Sequence, residues 1–241
     1  MVLLTVLCSS AARAGEVSHA FVDGIKFYNE KQYALAVAEF KKIANAGIRN
    51  GKLFYNIANA YLKDGDIGNA VLWYQRALRY MPEDPDLNFN LQYARSLVKD
   101  QPEDRQNPIL QILFFWKDMF SRTAIQWIAL VSNLLFWGLT ALKRIYRSGA
   151  LKLPAVAALI VMIVFTLTSL YQFYEEKYVK FAVVLPAKVS IRSGLTPDST
   201  ELFVLHSGSK VRVDKQQSGH CRIRFSDEKI GWIDADDIGL I

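Results

Sequence analysis

Residues 140–154 read TALKRIYRSGALKLP and bring Lys143, Arg144, Arg147 and Lys152 together with no acid among them. Before this cluster stands TAIQWIALVSNLLFWGLTAL (123–142) and after it LPAVAALIVMIVFTLTSLYQFY (153–174), neither with a charged residue. Twenty residues of α-helix rise about 30 Å, the thickness of the hydrocarbon layer of a bilayer. Each stretch therefore predicts a membrane-spanning helix. The competing reading is a helical hairpin buried in a soluble core, but neither segment has the polar face that a soluble helix turns to water. Pro154 falls at the start of the second helix, where its missing N–H costs least. Trp127, Trp137, Tyr171 and Tyr174 are spaced as interfacial anchors. Asn133, deep in the first span, is expected to pair with another helix, through a bond worth about 0.6 kcal/mol in lipid. No ionisable group lies within either span, which argues against a transporter or proton pump.

Lys and Arg concentrate in short cytoplasmic loops. The loop at 143–152, with Lys143, Arg144, Arg147 and Lys152 as topology determinants, is thus expected in the cytoplasm, with both larger segments outside. The opening run MVLLTVLCSSAARAGE agrees. It ends in the A-x-A pattern Ala12-Arg13-Ala14, as a secretory signal peptide over 1–14 would, cleaved after Ala14. A third membrane anchor is the alternative, for which the apolar run is too short. These signals predict a two-pass membrane protein with its N- and C-terminal parts outside the cytoplasm.

The net charge of +6 does not mark a nucleic-acid binder. Residues 15–108 carry 12 cations and 12 anions and residues 180–241 carry 9 and 8, so the surplus sits around the apolar spans. Phosphate recognition needs a basic face on a folded domain. Of the two cysteines, Cys8 belongs to the leader and Cys221 stands alone, which excludes a disulfide framework.

The N-terminal part repeats itself. Residues 18–50 align with 52–84 at an offset of 34, matching Phe21 with Tyr55, Phe27 with Tyr61, Ala36 with Ala70 and Phe40 with Tyr74, and the second repeat runs over 51–84. The second copy, FYNIANAYLKDGDIGNAVLWYQRALRYMPEDP (54–85), resembles a tetratricopeptide repeat. Ala58, Tyr61, Gly65, Ala70, Tyr74, Ala77 and Pro82 hold that family's small, aromatic, turn and stop positions. In the first copy Lys31 replaces the turn glycine and Ile48 the terminal proline. Asp84-Pro85 opens a capping helix over 85–99, with Leu87, Leu91, Ala94 and Val98 on its apolar face. The whole array would span 15–99. The resemblance implies a concave partner-binding face lined by each repeat's first helix, with Lys52, Tyr55, Asn56, Asn59, Lys63, Asn90 and Tyr93 as candidates for gripping a partner protein. A linker at 100–108 and an interfacial amphipathic stretch at 109–120, containing ILQILFFWKDMF, lead into the first span.

From 181 to 241 short alternating runs are split by turn residues, which predicts a small all-β module. The series Ile191-Arg192-Ser193-Gly194, Leu205-His206-x-Gly208-x-Lys210-Val211 and Gly231-Trp232-Ile233 resembles a bacterial SH3-like domain. Trp232 is either core packing or the wall of a ligand groove.

No catalytic constellation appears. His19, His206 and His220 lie in separate contexts, no zinc-ligand spacing is present, and no nucleophile elbow, P-loop or dinucleotide fingerprint occurs. No enzyme, metal or cofactor is expected. The fold expected is multi-domain: an all-α tetratricopeptide array, a two-helix transmembrane hairpin and a C-terminal all-β SH3-like barrel. That order of parts resembles the BatE family of Bacteroides aerotolerance (Bat) operons. The resemblance implies a non-catalytic membrane scaffold working with Bat proteins that bear von Willebrand A-type domains and with a MoxR-type ATPase. An envelope sensor whose SH3-like domain binds peptidoglycan or a peptide is the alternative.

Overall fold

The structure is a computed structural model describing residues 2–100, 120, 122–147, 149–196 and 198–241. The linker beyond Asp100 and the amphipathic stretch up to residue 119 lie outside the described residues. The chain forms two compact units, one of Met1–Glu103 with Lys180–Ile241 and one of Asp104–Val179.

The first unit begins with five helices: α1 (Val2–Asn29), α2 (Tyr33–Asn45), α3 (Gly51–Asp64), α4 (Ile67–Leu78) and α5 (Pro85–Ser96). The backbone of the leader segment is helical and continuous with α1. Each helix packs on the next, and the 34-residue period reappears in burial. Ala36 and Ala70 are fully buried, as are Phe40 and Tyr74. Gly24 occupies the place of Ala58, and a Cβ there would meet the Phe40 ring at 2.5 Å. This is helical-repeat packing, in which a small residue on one helix admits an aromatic from its neighbour. Helix starts follow local chemistry. Asn50 Oδ1 accepts Lys52 N–H (2.8 Å) and Leu53 N–H (3.2 Å), while Asp84 caps α5 with Pro85 in its first turn. Leu87, Leu91 and Ala94 of α5 cover the end of the helical core.

The same unit ends in seven antiparallel strands: β1 (Lys180–Val184), β2 (Lys188–Arg192), β3 (Glu201–His206), β4 (Lys210–Gln217), β5 (His220–Arg224), β6 (Ile230–Asp234) and β7 (Ile238–Leu240). Their order across the sheet is β3-β2-β6-β5-β4-β1-β7. Gly208, at φ +89°, turns β3 into β4, and a 3-10 turn at Ala235–Asp237 separates β6 from β7. Alternate residues point into one core that includes Ala182, Val184, Ile191, Leu205, Val211, Cys221, Ile223 and Ile233.

Helices and sheet share a seam, although the sequence presents them as separate segments. Val183 points away from the sheet's own core and is buried in the helical one. Arg76 of α4 donates through Nε (3.1 Å) and Nη2 (2.8 Å) to the Leu240 carbonyl, and Arg79 Nη1 reaches the Ile241 oxygen at 3.3 Å. Asp100, just after α5, accepts the His206 N–H and the Ser209 hydroxyl (2.8 Å) and lies 3.0 Å from His206 Nδ1. Gly68 allows α4 to approach β1. A Cβ there would meet Ser207 Oγ at 2.5 Å and the Val184 and Leu185 carbonyls at 2.9 Å.

The second unit is a helical hairpin of α6 (Arg122–Tyr146) and α7 (Lys152–Tyr178) around a 3-10 turn at Gly149–Leu151. Its segments Thr123–Tyr146 and Gly149–Tyr174 have mean hydropathy 1.5 and 2.4 and are long and apolar enough to cross a membrane. Only 11% of each apolar window is buried, so the hydrophobic side chains face outward instead of filling a core. Between the helices lie Ile125, Ser132, Thr168 and Gln172. Ser132 and Thr168 satisfy their hydroxyls on the carbonyls of Ala129 and Val164, and Asn133 Nδ2 crosses to Met162 Sδ at 3.4 Å. Lys143 and Arg144 occupy the last turn of α6, where cations complement the helix dipole. Arg147 turns the chain at φ +49°, and Lys152 opens α7 with Pro154 in its first turn.

Candidate partner-binding face

Helix α3 buries Leu53, Phe54, Ile57, Ala58 and Ala60. Helical spacing therefore gathers Lys52, Tyr55, Asn56, Asn59 and Lys63 on the other side. Helix α5 adds Asn90 and Tyr93. These seven candidates divide into two groups with different tasks.

Tyr55, Asn59 and Asn90 are joined to one another. Asn90 Nδ2 donates to Tyr55 Oη (2.7 Å) and to Asn59 Oδ1 (3.2 Å), and Tyr74 Oη donates to the same Asn59 oxygen at 2.5 Å. The Tyr55 and Tyr74 rings sit 6.0 Å apart. Tyr74 is fully buried, and burial followed by the neighbouring Tyr55 pushes its hydroxyl well above the usual phenol range. The phenol therefore stays neutral and donates. The network ties α3, α4 and α5 together, and it fixes the floor of the face.

Lys52, Lys63 and Tyr93 are exposed around that floor, and Asn56 is half-buried. Lys52 and Lys63 hold their side chains at the surface. Tyr93 continues as an exposed stripe with Phe89 and Leu97 at four-residue spacing on α5, 70%, 53% and 45% exposed for Phe89, Tyr93 and Leu97. A fixed polar floor, cations at two edges and an exposed aromatic stripe suit a protein surface that offers acceptors and apolar side chains. Phe89 and Leu97 were not among the sequence candidates, yet their i, i+4, i+8 spacing opposite Leu87 and Leu91 was there to be seen.

Trp232 stands elsewhere. It is half-buried on β6, on the face away from Ile233 and the sheet core, in register with Arg192 of β2 and Arg222 of β5. The four basic residues of the loop, Lys143, Arg144, Arg147 and Lys152, belong to the hairpin unit as described above.

Two further sets of reactive side chains lie apart from this face. Cys221 is buried in the sheet core, where burial and then the Asp234 charge push its thiol pKa up, and its neighbour His220 turns to the Ser218 carbonyl. Asp100, His206 and Ser209 have the residue types of a hydrolytic triad but not its order. The Ser209 hydroxyl donates to Asp100 and to the His206 carbonyl, and the imidazole bonds the carboxylate, so no base is aimed at the serine oxygen. The trio is a latch between helices and sheet. No protein-family model and no curated protein matches this chain.

Proposed function

We propose that the protein is a membrane-anchored, non-catalytic scaffold whose α3–α5 face holds a partner protein. In this reading α1–α4 are two tetratricopeptide-type repeats with α5 as their cap, and β1–β7 are an SH3-like module fastened to them. The observation that carries it is the hydrogen-bonded floor of Tyr55, Asn59, Asn90 and Tyr74 beneath the exposed Lys52, Lys63 and Tyr93. A floor held this way is organised before any partner arrives, which lowers the ordering cost of binding.

The outward apolar surface of α6 and α7 supports a hairpin in lipid, and the four-cation loop supports a cytoplasmic turn. A separate support comes from the first unit itself. Residues before and after the hairpin belong to one compact body, so both must lie on the same side of the membrane, and an even number of crossings achieves that. In this reading the protein resides in the inner membrane with that body in the periplasm. The resemblance to the Bat operon proteins makes a membrane protein with a von Willebrand A-type domain the expected partner, in an envelope assembly with a MoxR-type ATPase linked to oxygen or stress tolerance.

Replacing Lys52, Asn56 and Tyr93 together by alanine leaves the floor intact and should abolish co-purification of that von Willebrand A-type partner from native membranes. Undiminished recovery would overturn the assignment of the face. A second reading, an envelope sensor, is favoured by Trp232 lying outside the sheet core between two arginines. It requires Trp232→Ala to lose binding to purified peptidoglycan sacculi while partner recovery is retained.

A further inference from the structure

A cleft of about 770 Å3 opens where the C-terminal turns of α2 and α4 meet the end of β7. Lys41, Arg49, Arg76 and Arg79 line it, with Trp73 and Tyr80 beneath, and no Asp or Glu stands among its described lining residues. The cations have partial explanations at hand. Arg76 stacks on the Trp73 ring at 4.7 Å and holds Leu240 O, Arg79 holds Ile241 O, and Arg49 donates to Ala44 O at 3.0 Å. Two helix C-termini together supply about one unit of negative charge. Four cations exceed that. Burial and then the charge of Arg49 lower the pKa of Arg76.

The class of anion follows from what surrounds those charges. Compact phosphates are usually cradled by backbone N–H groups at helix N-termini. Here the cations are carried by four separate side chains spread along the cleft, as suits several spaced charges more than one compact anion. Two of its arginines already grip main-chain oxygens of an extended strand. Extended backbone with carboxylates spaced along it matches both features, and the volume is that of a small-ligand or short-peptide site.

We propose that this cleft receives an acidic polypeptide segment, its carboxylates against Lys41 and Arg49 and its backbone beside the Arg76–Arg79 pair. The site is separate from the α3–α5 face and would give a partner a second, charge-selected foothold. Lys41 and Arg49 are the residues to change, since Arg76 and Arg79 also fasten the sheet.

The test uses the full chain in detergent micelles and fluorescein-labelled hexaglutamate, read by anisotropy. Saturable binding is expected, weakening at least tenfold in the double variant Lys41→Gln, Arg49→Gln and weakening again as salt rises from about 0.05 to about 0.5 M. The charge-matched variant Lys188→Gln, Lys215→Gln, on the sheet, should bind like the parent. Absence of saturable binding, or equal loss in both variants, overturns the proposal. So does a cleft that binds inorganic phosphate at about 10 mM and ignores hexaglutamate. Should the cleft variant melt early, carbodiimide coupling of hexaglutamate to the parent decides the matter: a crosslink at Lys41 supports the site, and crosslinks confined to other lysines contradict it.

Discussion

Lys31 and Gly65 stand at equivalent places in the two helical repeats, and both turn the chain through the left-handed region, at φ +62° and +86°. Glycine does so freely, whereas a residue with a Cβ is strained by roughly 1 kcal/mol. Lys31→Gly should therefore raise the unfolding free energy by up to about 1 kcal/mol, measured by urea denaturation, although glycine substitutions normally destabilise. Asp100 gives a prediction with a pH sign. Burial alone would raise its pKa, but the hydrogen bonds from His206 and Ser209 outweigh that and hold the carboxyl below its usual range. A carboxylate depressed in the folded state stabilises above its unfolded value, near pH 4, and that contribution is lost as pH falls through the lower folded value. Asp100→Asn should thus cost about 1–2 kcal/mol at pH 7 and flatten the fall in stability below about pH 4. An unchanged acid slope would show that the latch is not closed in solution.

Among the elements, α4 and β1 carry the seam, and Gly68 is where it can be probed. In a free helix Gly→Ala gains about 1 kcal/mol. Here the new methyl would press on the Val184 and Leu185 carbonyls, backbone atoms that cannot swing aside. Overpacking of this kind costs about 1–3 kcal/mol, so Gly68→Ala should lower the melting temperature. The seam was faintly legible in the sequence. FAVVL, at 181–185, is uninterrupted apolar sequence where β4 and β5 alternate, and a strand reads that way when both faces are covered. What covers the second face is a long-range matter that periodicity cannot supply. The helical repeat, by contrast, was legible because its 34-residue period, Gly65 and Asp84-Pro85 are local signals. For the candidate face, the repeat resemblance named Lys52, Tyr55, Asn56, Asn59 and Lys63 on α3, but whether an asparagine reaches outward or toward Tyr74 depends on a neighbour 15 residues away.

For the whole molecule, the two halves of the chain that flank the hairpin act as one body. Deleting 181–241 would therefore uncover the helical core at Leu72, which lies against Gly239, and point substitutions are the sounder probe of each surface. The same unity makes topology the decisive issue, since a body assembled from both flanks cannot be divided by a bilayer. It can be measured with single cysteines at Lys63, Lys229 and Arg147 in a Cys8→Ala background, labelled on intact spheroplasts with a membrane-impermeant maleimide. Cys221 can stay, because it is only 2% exposed and burial keeps its thiol protonated. Lys63→Cys and Lys229→Cys should both label from outside, and Arg147→Cys should label only after lysis. Labelling of one flank without the other, or of Arg147→Cys on intact spheroplasts, would contradict a hairpin anchor bearing a single periplasmic body.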